Sequence, residues 1–246
     1  MKSIGIIPAR YASTRFPGKP LALIGKKPMI QRVYEQALKS ELDTVVVATD
    51  DERIQEVVKD FGGLAVMTDS ELPTGTERCR VAYETLQTDA EFIVNIQGDE
   101  PFIDPAQINK VLALLRGGEG SIATLITPAK SAEEVLNPNR VKVVVDASGR
   151  ALYFSRQAIP FLKGVEPHEW SDHFLYHIHI GIYGFTREAL LKIGDLGEGK
   201  LERAEALEQL RWMEQGMHIA TAVTDSRAEA VDTPEDLHTL EKRYFL

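Results

Sequence analysis

Short β-branched and aliphatic runs alternate with amphipathic stretches through the first half of the chain, the mark of βαβ units around a largely parallel sheet. Residues 3–7 predict the first strand, followed by a polar loop from Pro8 to Lys19. A helix from about Pro28 puts Ile30, Val33, Tyr34, Ala37 and Leu38 on one face. Residues 44–48 predict a buried strand, and the helix after it carries Ile54, Val57, Val58 and Phe61 before stopping at Gly62-Gly63. The unit repeats as a strand at 64–67, a helix at 76–86, a strand at 92–96 and a helix at 105–115.

Beyond Gly120 the pattern becomes strand-rich, with strands predicted at 122–127, 141–145 and 151–155 and then an irregular stretch at 159–172 containing Pro160, Gly164 and Pro167. Residues 177–185 predict a strand, 201–215 a helix ended by Gly216, and 219–223 a further strand. Thr233 as N-cap, Pro234 at the first helical position and Asp236 behind it start a last helix whose Leu237, Leu240 and Tyr244 share a face. The fold class is α/β, read as one domain over 1–246 with a strand-rich portion at about 120–200.

Charge narrows the function. A formal net charge of −9 argues against a nucleic-acid surface, so any phosphate site must be local. Cys79 is the only cysteine, which excludes an intramolecular disulfide or a cysteine zinc cluster and fits a reducing, cytoplasmic setting. No run approaches the ~20 apolar residues of a membrane span, so membrane insertion is not expected.

Candidate chemistry collects after the strands. The 8–19 loop places Arg10, Arg15 and Lys19 with Ser13 and Thr14 directly behind the first strand, where ligands of open α/β sheets bind. Arginine forks and a lysine ammonium suit a triphosphate, although a solvated basic loop has the same composition. The loop is not a Walker A motif: Pro20 follows Gly18-Lys19, and serine stands at position 13 in place of the leading glycine.

Asn95 to Pro101 ends a strand with Gln97, Gly98, Asp99 and Glu100, where Asp99 is either a hard-oxygen ligand for Mg²⁺ or part of a turn. Asp232 precedes the last helix and could complete a metal site with Asp99, or merely complement the helix N-terminus. Thr74-Gly75-Thr76-Glu77-Arg78 opens a helix whose free amides suit an anion, as any capped N-terminus would.

His177 and His179 alternate along a strand and share a face; without a third ligand, sugar hydrogen bonding or a satisfied core histidine is preferred to zinc. On the 201–215 helix, Glu202, Glu205, Glu208, Gln209 and Trp212 gather on one side, with Gln209 able to bond a polyhydroxylated substrate.

Together these segments resemble the Kdo cytidylyltransferases, or CMP-Kdo synthetases, over nearly the whole chain. The resemblance rests on Ile7-Pro8-Ala9-Arg10-Tyr11-Ala12-Ser13-Thr14-Arg15, Pro17-Gly18-Lys19-Pro20, Thr49-Asp50, Gly75-Thr76-Glu77-Arg78 and Gln97-Gly98-Asp99-Glu100-Pro101. It continues through Phe154-Ser155-Arg156, Gly181-Ile182-Tyr183-Gly184, Leu207-Glu208-Gln209-Leu210-Arg211 and Asp232-Thr233-Pro234-Glu235-Asp236.

The resemblance implies a Rossmann-like, mixed but mainly parallel sheet of the nucleotide-diphospho-sugar transferase type, and a homodimer formed through the strand-rich half. It implies a Mg²⁺-dependent cytidylyltransferase that joins CTP to a 3-deoxy-octulosonate sugar acid for lipopolysaccharide biosynthesis. Arg10, Ser13, Arg15 and Lys19 would hold the phosphates, with Thr74, Gly75, Thr76 and Arg78 also at the nucleotide. Asp99 and Asp232 would carry the metal; Arg10, Lys19, Asp99 and Asp232 form the catalytic set. Gln97, Arg156, His179, Tyr183, Glu208 and Gln209 would line the sugar pocket.

One departure stands out: Ile178 precedes His179 where the family usually has arginine, which leaves an 8-amino variant sugar open. A glycosyltransferase on the same fold and a non-catalytic nucleotide-binding protein are the other readings.

Overall fold

The computed structural model describes residues 1–12, 15–227 and 229–245. The chain folds as two compact units, Met1–Asn109 with Ala228–Leu246, and Lys110–Arg227. The second begins before the strand-rich portion and extends past it.

In the first unit, β1 (Ser3–Ala9) is buried along nearly its whole length, as a central parallel strand must be. A small hairpin of β2 (Leu23–Ile24) and β3 (Lys27–Pro28) leads into α1 (Met29–Ala37), whose Ile30, Val33, Tyr34 and Ala37 face the core as the periodicity predicts, whereas Leu38, at the helix C-cap, is exposed. Then follow β4 (Thr44–Thr49), α2 (Glu52–Asp60), β5 (Ala65–Met67), α3 (Gly75–Leu86) and β6 (Phe92–Asn95); α4 (Pro105–Arg116) starts in this unit and belongs to the second from Lys110 onward.

β1 lies between β4 and β6, and β4 pairs onward with β5, all in parallel. Ile6, Ile7, Val47, Ile93 and Val94 are fully buried there. The register sets Ala9 opposite Thr49 and Ile6 opposite Asn95, so the segments after β1, β4 and β6 leave the sheet at one edge. That edge is where an open parallel sheet presents its ligand groups.

The second unit contains β7 (Ile122–Pro128), α5 (Ala132–Leu136), β8 (Lys142–Val145), β9 (Ala151–Ser155) and α6 (Trp170–His173). It continues with β10 (His177–Thr186), α7 (Arg187–Gly194), α8 (Lys200–Glu205), α9 (Gln209–Glu214) and β11 (Ile219–Val223). β7 pairs antiparallel with β10 and parallel with β11; β8 pairs antiparallel with β9 and β10. The β7–β10 register slips between Ile180 and Tyr183, a bulge that re-aims the side chains beyond it.

The single helix predicted at 201–215 is instead two, α8 and α9, broken at Ala206, whose φ of 50° is left-handed. The cause is non-local. Arg156 Nε donates to the Glu205 carbonyl at 2.6 Å and Nη2 to the Ala206 carbonyl at 3.2 Å, taking acceptors that end the first helix. Glu202, Glu205, Glu208, Gln209 and Trp212 therefore do not share one helical face. The irregular stretch at 159–172 contains a 3₁₀ turn at Pro167–Glu169 that runs into α6, held by buried Trp170 stacked 6.2 Å from Tyr176.

The chain returns to the first unit as α10 (Pro234–Phe245). Asp236 Oδ2 accepts from the Thr233 N–H at 2.9 Å, and Thr233 Oγ1 accepts from the Asp236 N–H at 3.2 Å, a reciprocal cap at the predicted start. Leu237 and Leu240 pack with Ile24, Met29 and Val231, while Tyr244 stacks on Phe102 at 4.0 Å. No helix among the described residues is long and apolar enough to cross a membrane.

Candidate functional site

A pocket of about 270 Å³ opens at the strand edge of the first unit, lined by the segments after β1 and β6, the start of α3 and the residues before α10. It brings together Arg10, Arg15, Lys19, Thr74, Gly75, Arg78, Gln97, Asp99 and Asp232 from the sequence reading. Ser13 lies outside the described residues. Thr76 does not line the pocket; it is buried, accepting from Asn95 Nδ2 at 3.5 Å.

Lys19 is the centre of the charge arrangement. Its Nζ donates to Asp99 Oδ2 at 2.7 Å and to the Val231 carbonyl at 2.8 Å, and stands 3.7 Å from Asp232 Oδ1. Arg15 Nη2 reaches the same Asp232 oxygen at 2.9 Å. The Val231 N–H donates to the Asp99 carbonyl at 2.9 Å, which pins the two acid-bearing segments to each other. Two carboxylates thus converge on one cation, hard-oxygen donors that fit a divalent metal completed by phosphate oxygens. Among the described residues no cluster of three or more metal-ligating side chains exists, so such a metal would need the substrate's oxygens.

Beside Asp99, burial and then that neighbour's charge push the Glu100 carboxyl up to about 7. Gly98 is required by close approach: a Cβ there would lie 2.7 Å from the Pro8 carbonyl oxygen. Gly18 sits at φ +71° against the Tyr11 ring, and its N–H donates to the Tyr11 carbonyl at 3.0 Å, closing the loop that presents Lys19. Thr74 caps α3 by accepting from the Glu77 N–H at 3.1 Å, and Gly75 leaves the helix start open to the pocket.

Of the residues assigned to the sugar, Gln97 lies in this pocket, while Arg156, His179, Tyr183, Glu208 and Gln209 belong to the second unit. There His179 sits 5.2 Å from the Phe154 ring and 5.2 Å from Tyr183, which meets Trp212 edge-on at 5.0 Å. His179 Nε2 is 3.0 Å from Thr124 Oγ1, whose own proton goes to the Ile182 carbonyl at 2.7 Å.

Burial lowers His179 to about 3 and raises the Tyr183 phenol well above its usual range, with Glu208 adding to the latter. Both are neutral at physiological pH. The Tyr183 hydroxyl is buried with no hydrogen-bond partner among the described residues, and Gln209 is 4% exposed. Arg156 donates to the carbonyls of Pro138, Glu205 and Ala206, a structural engagement of all three guanidinium nitrogens. Ile178 is buried, pointing away from the face His177 and His179 share.

The motif residue Asp50 carried no assigned role in the sequence reading. Its carboxylate accepts from the Tyr11 N–H at 3.3 Å and from Arg78 Nη2 at 3.2 Å. The signal was its position: it follows β4 as Arg10 follows β1, and the two strands are paired in register.

A family model for cytidylyltransferases matches residues 4–219. The chain belongs to this family. Within the cytidylyltransferases, the 3-deoxy-manno-octulosonate cytidylyltransferase of Parabacteroides distasonis is 49% identical over 241 residues, covering 96% of each chain. That of Bacteroides thetaiotaomicron is 48% identical over 245 residues, covering 98% of each. A CMP:2-keto-3-deoxy-manno-octonic acid synthetase solved in complex with CTP superimposes with a TM-score of 0.92 at 40% identity, covering 99% of this chain and 98% of that one. The fold is thus the α/β, mixed and mainly parallel sheet of the nucleotide-diphospho-sugar transferase type.

Proposed function

We propose that this cytidylyltransferase transfers the cytidylyl group of CTP to the anomeric hydroxyl of 3-deoxy-manno-octulosonate, giving the CMP-sugar and pyrophosphate. The observation that carries the reading is the convergence of Arg10, Arg15, Lys19, Asp99 and Asp232 in one pocket at the sheet edge. In the reaction the hydroxyl oxygen bonds to the α-phosphorus as the bond to the pyrophosphate oxygen breaks, and the hydroxyl proton passes to water.

Arg10, Arg15 and Lys19 offset charge on the phosphates, with the α3 amides beyond Thr74 as further donors. Asp99 and Asp232 would hold Mg²⁺, which when bound supplies additional neutralisation of the phosphate oxygens. His179, Tyr183, Glu208 and Gln209, with Gln97, would orient the sugar acid. Aligning two bound reactants is itself worth effective molarities of ~10⁵ M or more.

The product is a precursor for lipopolysaccharide, made in the cytoplasm. The enzyme works as a homodimer through the second unit, where Leu136, Phe161, Phe174 and Leu175 are exposed, Phe161 at 73%. Light scattering should give twice the mass of the 27.4 kDa chain. The catalytic test is pyrophosphate release with CTP and Mg²⁺, comparing Kdo, its 8-amino analogue and no sugar. Release only with a sugar supports the transferase and names the substrate; release with neither sugar removes it.

A further inference from the structure

Asp50 does not line the phosphate pocket, yet it ties together segments that do. One carboxylate oxygen accepts the Tyr11 N–H, which fixes the backbone immediately after Arg10, and the other accepts from Arg78. Arg78 lines the pocket and is held on its far side by a second donation, to Thr68 Oγ1. The Arg78 and Asp50 side chains are only 3% and 8% exposed, so solvent screens neither charge. Four cations, Arg10, Arg15, Lys19 and Arg78, line the pocket against two carboxylates, Asp99 and Asp232; Asp50 is the third, set one layer behind.

We infer that Asp50 is a positioning residue that fixes the phosphate loop and tempers the charge of Arg78, so that the pocket grips a triphosphate and still releases pyrophosphate. This rests on the proposed reading of the pocket as the triphosphate site. The same cations that bind CTP also bind the leaving group, so an untempered Arg78 retains pyrophosphate and slows turnover. Asp50 touches neither substrate; it acts through the Tyr11 backbone and through Arg78.

The test separates charge from anchoring. Asp50→Asn keeps the side-chain shape and an acceptor for Tyr11 N–H but removes the negative charge. Calorimetric titration with inorganic pyrophosphate should show Asp50→Asn binding about tenfold tighter than wild type, a change of ~1.4 kcal/mol. Its kcat should fall without a rise in the KM for CTP, whereas a residue that only supports the fold would weaken pyrophosphate and raise KM together. Adding Arg78→Gln should return pyrophosphate affinity to within about threefold of wild type.

Asp50→Asn leaves Arg78 buried without its partner, so folding is followed by circular dichroism, and the pyrophosphate-induced rise in Tm gives a second reading. If that variant does not fold, Arg78→Gln alone decides: it exposes the pocket to Asp50 and should weaken pyrophosphate about tenfold. Affinity in Asp50→Asn equal to or below wild type overturns the inference. So does unchanged affinity in Arg78→Gln, or no pyrophosphate binding by any of these proteins. The transferase reading fails separately, through absent sugar-dependent turnover in wild type, which the binding titration does not measure.

Discussion

The ionic pocket of the first unit and the aromatic cluster of the second are built by opposite means. In the first, charges stand on loops at the sheet edge and on the segment before α10, and neutralise one another through Lys19, Asp99, Arg15 and Asp232. In the second, neutral groups sit on a bulged strand and beside a broken helix, and their ionisation is suppressed by burial. On the proposed reading, the difference teaches that a polyanion would be met by charges carried on short segments, and a polyhydroxylated acid by orientation, which depends on breaks in regular structure.

Losing charge from the first region should have the largest effect. Asp99→Asn removes the carboxylate that Lys19 contacts and that would hold the metal, and kcat/KM should fall roughly a thousandfold in steady-state assays while the fold persists. A change near wild type would mean that the ionic pocket is not where catalysis happens.

Next is a steric break of the same region. Gly98→Ala places a methyl group against the Pro8 carbonyl, so Asp99 or β1 must shift, and kcat/KM should drop about a hundredfold. An ångström-scale displacement in the crystal structure of the variant is the accompanying observation.

The second region should reveal itself through pH and stability. His179 in the folded protein holds its proton only below about 3, against an ordinary value of 6.5. Between these values the unfolded chain binds more protons, so this residue's contribution is complete above 6.5 and lost as pH falls towards 3. By pH 5 the loss is roughly 2 kcal/mol, readable by urea unfolding. His179→Gln should lack that part of the slope; an identical slope would show that the imidazole is not desolvated in the folded protein.

The smallest effect sharpens the contrast from the stability side. Thr233→Ala removes the cap of α10 and should cost about 1 kcal/mol in unfolding while lowering activity only modestly. A large kinetic loss with little loss of stability would mean that this helix start acts in the pocket directly.

Much of the first region was legible because its signals are local. β-branched runs gave the parallel strands, and Arg10 and Asp99 stand within a few residues of the ends of β1 and β6, so their meeting in one pocket follows from the topology, while Lys19 is brought there by the closed loop after β1. Thr233 and Asp236 spell their cap in adjacent sequence. Asp50 carries no local signal, because its partners are distant in sequence: the register of β1 on β4 brings Tyr11 to it, and the packing of α3 brings Arg78.

The second region hid more. Residues 201–215 have unbroken helical composition, and nothing near Ala206 announces the break that Arg156 imposes from about fifty positions away. Arg156, which the resemblance assigns to the sugar pocket, is directed by the structure to backbone carbonyls. The bulge after Ile180 likewise depends on β7, its partner strand. In each case tertiary contacts override local preference.

Hydrogen exchange with CTP and Mg²⁺, with and without the sugar acid, tests the division of labour most directly. CTP should slow exchange at residues 8–12, 15–19, 74–78 and 97–99, and the sugar acid should add protection around Thr124, His179 to Tyr183 and Glu208. Protection by CTP confined to the second unit, with the 8–19 loop unchanged, would contradict the assignment of the phosphates to the ionic pocket.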